Sequence, residues 1–307
     1  MPDTFFTEPP EWRWLIVLYF FIGGIAGGSL FLASLLQLFG RPSDRPVVRI
    51  GYKVAFIGAI LSGILLILDL DKPIRFWHML FESETGQPTL KLYSPMSVGA
   101  WGVLLFGLFA FLGWLGAQHE EEKIKWSPAG ALTRGPLAAI IAVLGGIAGF
   151  FLAGYTGVLL SVTNRPIWAD SNWLGVLFLF SSASTTAAFL ILLARQRGVS
   201  TTGTIDWLSQ VDKGALILEL VTLIIFLVSL GAVARVFLGW WGLLLVLGVL
   251  VAGILAPLAI GTGRVRRVRN QLGTMAMLVL FGGFMLRVVV IMASEQVHAA
   301  SDQVMRP

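Results

Sequence analysis

Eight apolar runs, each of about 20 residues, alternate along this chain with short polar stretches. A helix rising about 1.5 Å per residue needs that length to cross the hydrocarbon core of a bilayer. The runs predict spans over Trp14–Leu38, Ile50–Leu68, Ser97–Ala117, Pro136–Leu160, Trp173–Ala194, Gly214–Val236, Trp240–Gly261 and Gly273–Ala293. The expected fold is therefore an all-α integral membrane protein. The polar stretch with the most chemistry lies between spans two and three. From Leu66 to Trp101 it carries Asp69, Asp71, Lys72, Arg75 and His78 before returning to the membrane through Ser-Pro-Met-Ser.

A shift of 159 residues lays WLIVLYFFIGGIAGGSLFL of span one onto WLGVLFLFSSASTTAAFLI of span five. Trp14 falls on Trp173, Phe21 on Phe180, and the small residues Gly23–Ser29 on Ser182–Ala188. Four spans separate the copies, so a repeat of this kind is parallel. The expectation is two side-by-side four-helix bundles, residues 1–160 and 161–307. The spacings Gly23/Gly27 and Gly24/Gly28 predict close helix packing in span one.

Charge sets the expected orientation. Lys and Arg number 14 in and beside the loops after spans one, three, five and seven, with Lys53 at the start of span two counted there. Against them stand 7 on the other side, with Arg235 at the end of span six counted there. By the positive-inside rule the chain lies in the cytoplasmic (inner) membrane with both termini external. The Leu66–Trp101 stretch is then external too. The run Arg264–Asn270 is a cytoplasmic anchor, and Trp12 and Trp14 are interfacial anchors. The start of the chain, with Asp3, Glu8 and Glu11 against Arg13, lacks the basic opening of a secretory signal.

Composition narrows the chemistry. The chain is 56% hydrophobic and 13% charged, with mean hydropathy +0.83. It has no cysteine and three histidines, His78, His119 and His298, all in or beside loops. No disulfide or cysteine-ligated iron–sulfur cluster can form, and an intrinsic haem or metal site is not expected. Ionisable and phenolic groups inside spans are costly, so each calls for a partner or a role. Glu219 falls near the inner end of span six. Arg287 and Tyr155 fall in the outer halves of spans eight and four, Tyr19 below the outer surface in span one, and Asp69 and Asp71 at the outer end of span two.

The motifs in their order resemble the NrfD-like, or polysulfide reductase membrane subunit, family of quinone-interacting anchors. They are WRWLIVLYFFIGGIAGG, LDLDKPIRFWHML, SPMSVGAW, YTGVLLSVTNRPIW, LFLFSSASTTAA and LFGGFMLR. The resemblance implies electron exchange between menaquinone or ubiquinone and an externally docked, ferredoxin-like iron–sulfur subunit. That subunit serves a molybdopterin or multihaem cytochrome catalytic subunit. It also implies a quinone pocket near the outer surface among the first four spans. Tyr155 matches the family's span-four tyrosine, and Asp69 or Asp71 its acidic residue. Tyr19 stands where the polysulfide reductase member has a pocket histidine, and a phenol does not titrate near neutral pH.

The roles expected from this reading are as follows. Tyr155 and Tyr19 hold the quinone head group. Asp71, in preference to Asp69, accepts a proton while paired with Arg75 or Lys72, and His78 relays it outward. Glu219 and Arg287 belong to a proton path, and the Phe81–Tyr93 loop docks the partner. A transporter or channel, or a purely structural anchor, is the competing expectation. Pro257 is the only proline well inside a span, which counts against the broken helices common in transporters.

Overall fold

The computed structural model describes residues 12, 14–199, 202–261 and 271–305, with backbone only at 202 and 296–305. Asp3, Glu8, Glu11, Arg13, the run 264–270 and the side chain of His298 lie outside the described residues. The apolar runs become helices α1 (Trp14–Phe39), α2 (Arg45–Leu68), α3 (Pro95–Glu120), α4 (Pro136–Ser161), α5 (Leu174–Gln196), α6 (Thr202–Ser229), α7 (Trp240–Gly261) and α8 (Gln271–Met305). Seven are long and apolar enough to cross a membrane. α6 becomes the eighth together with the short helix after it. Helices α2, α3 and α4 each start with a proline in the first turn, where the missing N–H costs no hydrogen bond. Ser94 caps α3 by accepting a hydrogen bond from the Ser97 N–H at 3.4 Å.

Two of the helices depart from the expected spans. Span six was expected to run to Val236, but α6 stops at Ser229 and the chain turns by 109° into a 3₁₀ segment, Gly231–Leu238. Gly231 takes a φ of +53°, a left-handed conformation that a side chain disfavours. At its other end α6 starts at Thr202, twelve residues before the apolar run, and so takes Asp206 and Asp212 into the helix. In α7 the stretch Leu245–Leu255 is π-wound, and the Ala256 N–H reaches back to the Val251 carbonyl. Pro257 follows immediately and has no N–H to offer the Gly253 carbonyl, so the wider winding ends at the proline.

α1 sits at the centre. Its small residues face three neighbours at once, because without Cβ atoms the backbones come into direct contact. On one side Gly51 and Gly58 of α2 lie against Ala33 and Ala26. On the second, Gly27 lies against the Gly149 carbonyl of α4. On the third, Gly24 meets Ser182 and Gly28 meets Thr186 of α5. Numbers rise together in that last pair, so α1 and α5 run side by side in the same sense. α1, α2, α3 and α4 close a ring; α5 packs on α6 and α8, and α7 packs on α8. The apolar interior forms two clusters, and each draws on both halves of the chain. One cluster joins Val17, Tyr19 and Phe20 to Phe178, Phe226 and Leu286, and the other joins Ala26, Leu30 and Phe106 to Leu190.

Trp12 is a correction to the sequence reading. It is buried and stacked on Trp168, with ring centroids 5.7 Å apart, instead of lying at an interface. Trp168 in turn donates its indole N–H to the Val290 carbonyl at 2.8 Å. This locks the N-R-P-I-W corner after α4 onto α8. Trp14, by contrast, is exposed.

At the end of the molecule away from the Leu66–Trp101 loop, Glu121 gathers cations from α2 and from the turn after α3. Lys53 forms a short ion pair with it, Lys123 lies at 2.9 Å and Arg49 at 4.0 Å. Partial burial alone would raise its carboxyl, but the hydrogen bonds from Lys123 and Lys53 outweigh it and hold the group down at about 2. A depressed folded-state value stabilises the fold above the ordinary carboxylate range, and that contribution is lost as pH falls through the folded value. Glu121→Gln is therefore expected to lower the thermal midpoint at neutral pH. Midpoints of variant and parent should converge as pH approaches about 2; a constant gap across the titration would contradict this.

Candidate functional site

The 26 residues between α2 and α3 fold over the rim of the first four helices. A 3₁₀ turn, Pro73–Met79, is followed by a tight loop closed by a bridge between Phe81 and Pro88. Under it lies a cavity of about 360 Å³, lined among others by His78, Glu82, Lys91, Ser94 and Ser97. His78 is exposed and its Nδ1 lies 3.1 Å from the Ser83 hydroxyl, with Trp77 edge-on to its ring. The floor of the cavity is thus the first turn of α3, the Ser-Pro-Met-Ser sequence.

Tyr155 of α4 comes up beneath that floor. Its hydroxyl donates to the Pro95 carbonyl at 2.8 Å, and its ring stacks on Phe151 at 5.2 Å. Two glycines of α3 make room. A Cβ on Gly99 would overlap the Tyr155 hydroxyl, and one on Gly102 the Phe151 ring. With its proton committed to Pro95, the phenol oxygen keeps its lone pairs free as acceptors. Tyr19 of α1 is fully buried nearby, close enough for the two phenols to interact electrostatically. Its ring flanks Gly23 opposite the Ser62 hydroxyl of α2. Ser62 is itself buried, and its hydroxyl has no hydrogen-bond partner among the described residues.

The aspartates separate. Asp69 caps α2 and is partly buried, whereas Asp71 is exposed. Partial burial, and then the charge of Asp71, raise the Asp69 carboxyl above the usual carboxylate range. Arg75 and Lys72 are exposed. No ion pair joins either aspartate to them among the described residues, so the expected pairing does not form. The turn Pro73–Met79 carries Arg75 away from the end of α2.

Glu219 and Arg287 are brought together, but in the other half of the molecule. Arg287 is fully buried and donates to Ser181 at 2.6 Å, to the Gly283 carbonyl at 2.7 Å and to Ser182 at 3.0 Å. Its guanidinium also lies over the rings of Phe178 and Phe21, 5.1 and 5.9 Å from their centroids. Glu219 accepts from Ser184 at 3.0 Å and feels the Arg287 charge across this serine cluster. Two turns back along the same face of α6 lies Asp212, buried, with one carboxyl oxygen lacking a hydrogen-bond partner. The sequence reading missed Asp212 because the apolar run starts two residues after it. It missed Ser62 because a lone serine in an apolar run carries no signal. Asp170 is exposed and accepts from the Ile167 N–H at 2.8 Å, so it shapes the corner after α4. Among the described residues no three His, Asp or Glu side chains converge as a metal site.

The fold and site define a multi-pass helical membrane protein with a polar pocket at one rim and a buried charge network across its middle. The chain belongs to the polysulphide reductase, NrfD family, whose sequence model matches residues 3–299. It is 28% identical over 282 residues to protein NrfD of Escherichia coli, covering 83% of this chain and 86% of that one. It is also 28% identical over 310 residues to the C component of the polysulfide reductase of Wolinella succinogenes, covering 92% and 94%. A shorter match, 24% over 106 residues, is to the C component of the selenate reductase of Mesobacillus selenatarsenatis, covering 34% of this chain and 22% of that protein.

Proposed function

We propose that this chain is the quinone-binding membrane subunit of a respiratory oxidoreductase. It would pass electrons between menaquinone or ubiquinone and an iron–sulfur partner docked on the external loop. The observation that carries the reading is the Tyr155 hydroxyl held on the Pro95 carbonyl, between two residues that line the 360 Å³ cavity, with Tyr19 buried near it. The hydroxyls of Tyr155 and Tyr19 suit two ring oxygens, and the Tyr155 oxygen, its proton given to Pro95, is left to accept. A bound quinol supplies two electrons and two protons.

The chain's own residues handle the rest. Tyr155 accepts a hydrogen bond from a ring hydroxyl while Pro95 fixes its angle. Tyr19 closes the other side in place of a titrating histidine. Asp69 takes a proton, since partial burial and the neighbouring charge raise its carboxyl above the usual range. Asp71 and His78 then pass it to the cavity mouth, with Arg75 at the exposed rim. Asp212, Glu219 and Arg287 form a second, deeper proton path from the inner side.

Ile74, Leu92 and Tyr93 on the loop are 87%, 78% and 84% exposed, an apolar surface suited to a protein partner. The partner is then ferredoxin-like, and relays to a molybdopterin or multihaem cytochrome subunit. The parallel sense of α1 and α5 supports two related four-helix halves, 1–160 and 161–307, and the Lys and Arg distribution supports external termini.

Turnover of the native complex with a short-chain quinol tests the pocket. Tyr155→Phe and Asp69→Asn should each lower it about tenfold or more, the scale of a lost hydrogen bond or general base. Asp71→Asn should cost less than Asp69→Asn. Full turnover in assembled Tyr155→Phe and Asp69→Asn complexes would refute the pocket.

A further inference from the structure

Helices α2 and α3 meet in their inner halves and part in their outer halves. The contact is aromatic: Phe56 lies 5.4 Å from Phe111 and 4.9 Å from Trp114, and the Tyr52 ring covers Gly113. Helical spacing continues the contacting face of α2 from Tyr52 and Phe56 to Ala59 and Gly63. It continues the face of α3 from Trp114 and Phe111 to Gly107. Yet a Cβ on either Gly63 or Gly107 would meet nothing within 4 Å. The outer part of α3 packs instead on α4, through Gly99 on Tyr155 and Gly102 on Phe151. Leu65 and Leu66 of α2 turn the other way, into the apolar cluster around Tyr19 and Phe20. An apolar fissure therefore opens between the two helices, edged by Ile60 and Leu104, which are 48% and 47% exposed.

What lies at its inner side identifies the occupant. Ser62, next to Gly63, holds its buried and unpartnered hydroxyl beside the Tyr19 ring. An isolated polar group against hydrocarbon costs free energy unless a partner arrives. An acyl chain offers no such partner, whereas a ring carbonyl or hydroxyl does. We propose that this fissure admits the lipid-soluble quinone sideways from the bilayer, and that Ser62 is a further hydrogen-bond partner for its head group. The inference rests on the quinone reading above and adds a route and a residue to it. Glycine on both walls leaves a flat slot for the isoprenoid tail while the head group reaches Tyr19 and Tyr155.

Binding of the quinol analogue heptyl-hydroxyquinoline N-oxide, followed by fluorescence quenching on the purified chain in liposomes, tests both parts. Filling the slot with Gly63→Leu plus Gly107→Leu adds side chains where space is open, so the fold should persist. Its association rate should fall at least about tenfold. Ser62→Ala should leave that rate alone and raise Kd about three- to tenfold, as expected for one neutral hydrogen bond. Wild-type association by the filled variant, or an unchanged Kd for Ser62→Ala, would overturn the proposal and leave a slot for lipid chains. Failure of the parent chain to bind the analogue at all would overturn the quinone reading itself.

Discussion

Replacing Gly99 by valine should abolish quinol-linked turnover, with a loss of at least about 100-fold, while the complex still assembles. The added Cβ would overlap the Tyr155 hydroxyl and its Cζ, so the ring has to leave its place. Phe151 stacks on it, held in turn against Gly102, which leaves no room for a small shift. The bond to Pro95 breaks, and the acceptor oxygen under the cavity floor is displaced. A misplacement of about an ångström costs on the order of 100-fold in rate when the group orients a reacting molecule. Tyr155→Phe removes only the hydroxyl and should cost less. Gly214→Ala, where a Cβ meets nothing within 4 Å, serves as the control and should keep full turnover. Gly99→Val turnover within a few-fold of the parent would show that Tyr155 does not orient the quinol.

Arg287→Leu is expected to have the largest effect on stability. The guanidinium is fully buried, bridges α8 to α5 through Ser181 and Ser182, and offsets the charge of Glu219. Removing it takes three hydrogen bonds out of a buried site and withdraws the charge that Glu219 feels across the serine cluster, at a cost of about 2–5 kcal/mol. Detergent-solubilised Arg287→Leu should melt well below the parent and accumulate poorly in membranes. The second variant decides the cause. Adding Glu219→Gln removes the stranded charge and should restore much of the midpoint, because the double change leaves a neutral site. A double variant no more stable than the single one would show that the hydrogen bonds to Ser181 and Ser182, rather than charge balance, hold this region. The proposed path predicts that proton uptake coupled to quinol turnover is absent from the rescued double variant, which separates the path from the scaffold.

The residues of these predictions were unequally visible in the sequence. Glu219 and Arg287 stand out because ionised groups are costly among apolar neighbours. Their partnership was not visible, since it depends on α6 and α8 meeting either side of the serine-rich face of α5. Tyr155 stood out through its motif, but Gly99, which makes space for it, sits 56 positions earlier inside SPMSVGAW, and nothing in that motif shows which side chain it faces. Asp212 was hidden by the boundary: α6 begins at Thr202 and carries twelve residues beyond the apolar run into the fold. The choice between Asp69 and Asp71 depended on the local turn, because the two differ in burial and hardly at all in sequence context.

The sequence by itself determined that apolar helices suited to a membrane build this protein, and that no cysteine-bound redox centre belongs to this chain. Those conclusions follow from run length, hydropathy and residue inventory, which act locally and need no knowledge of neighbours. Only the tertiary structure decided that α1 is the hub, that Trp12 is core, that Asp69 lies deeper than Asp71, and that α2 and α3 part at Gly63 and Gly107. Apolar helices look alike to lipid and to one another. Their choice of partner is made by the fit of small residues and by the few polar groups that must be satisfied, and that fit exists only once the helices are side by side.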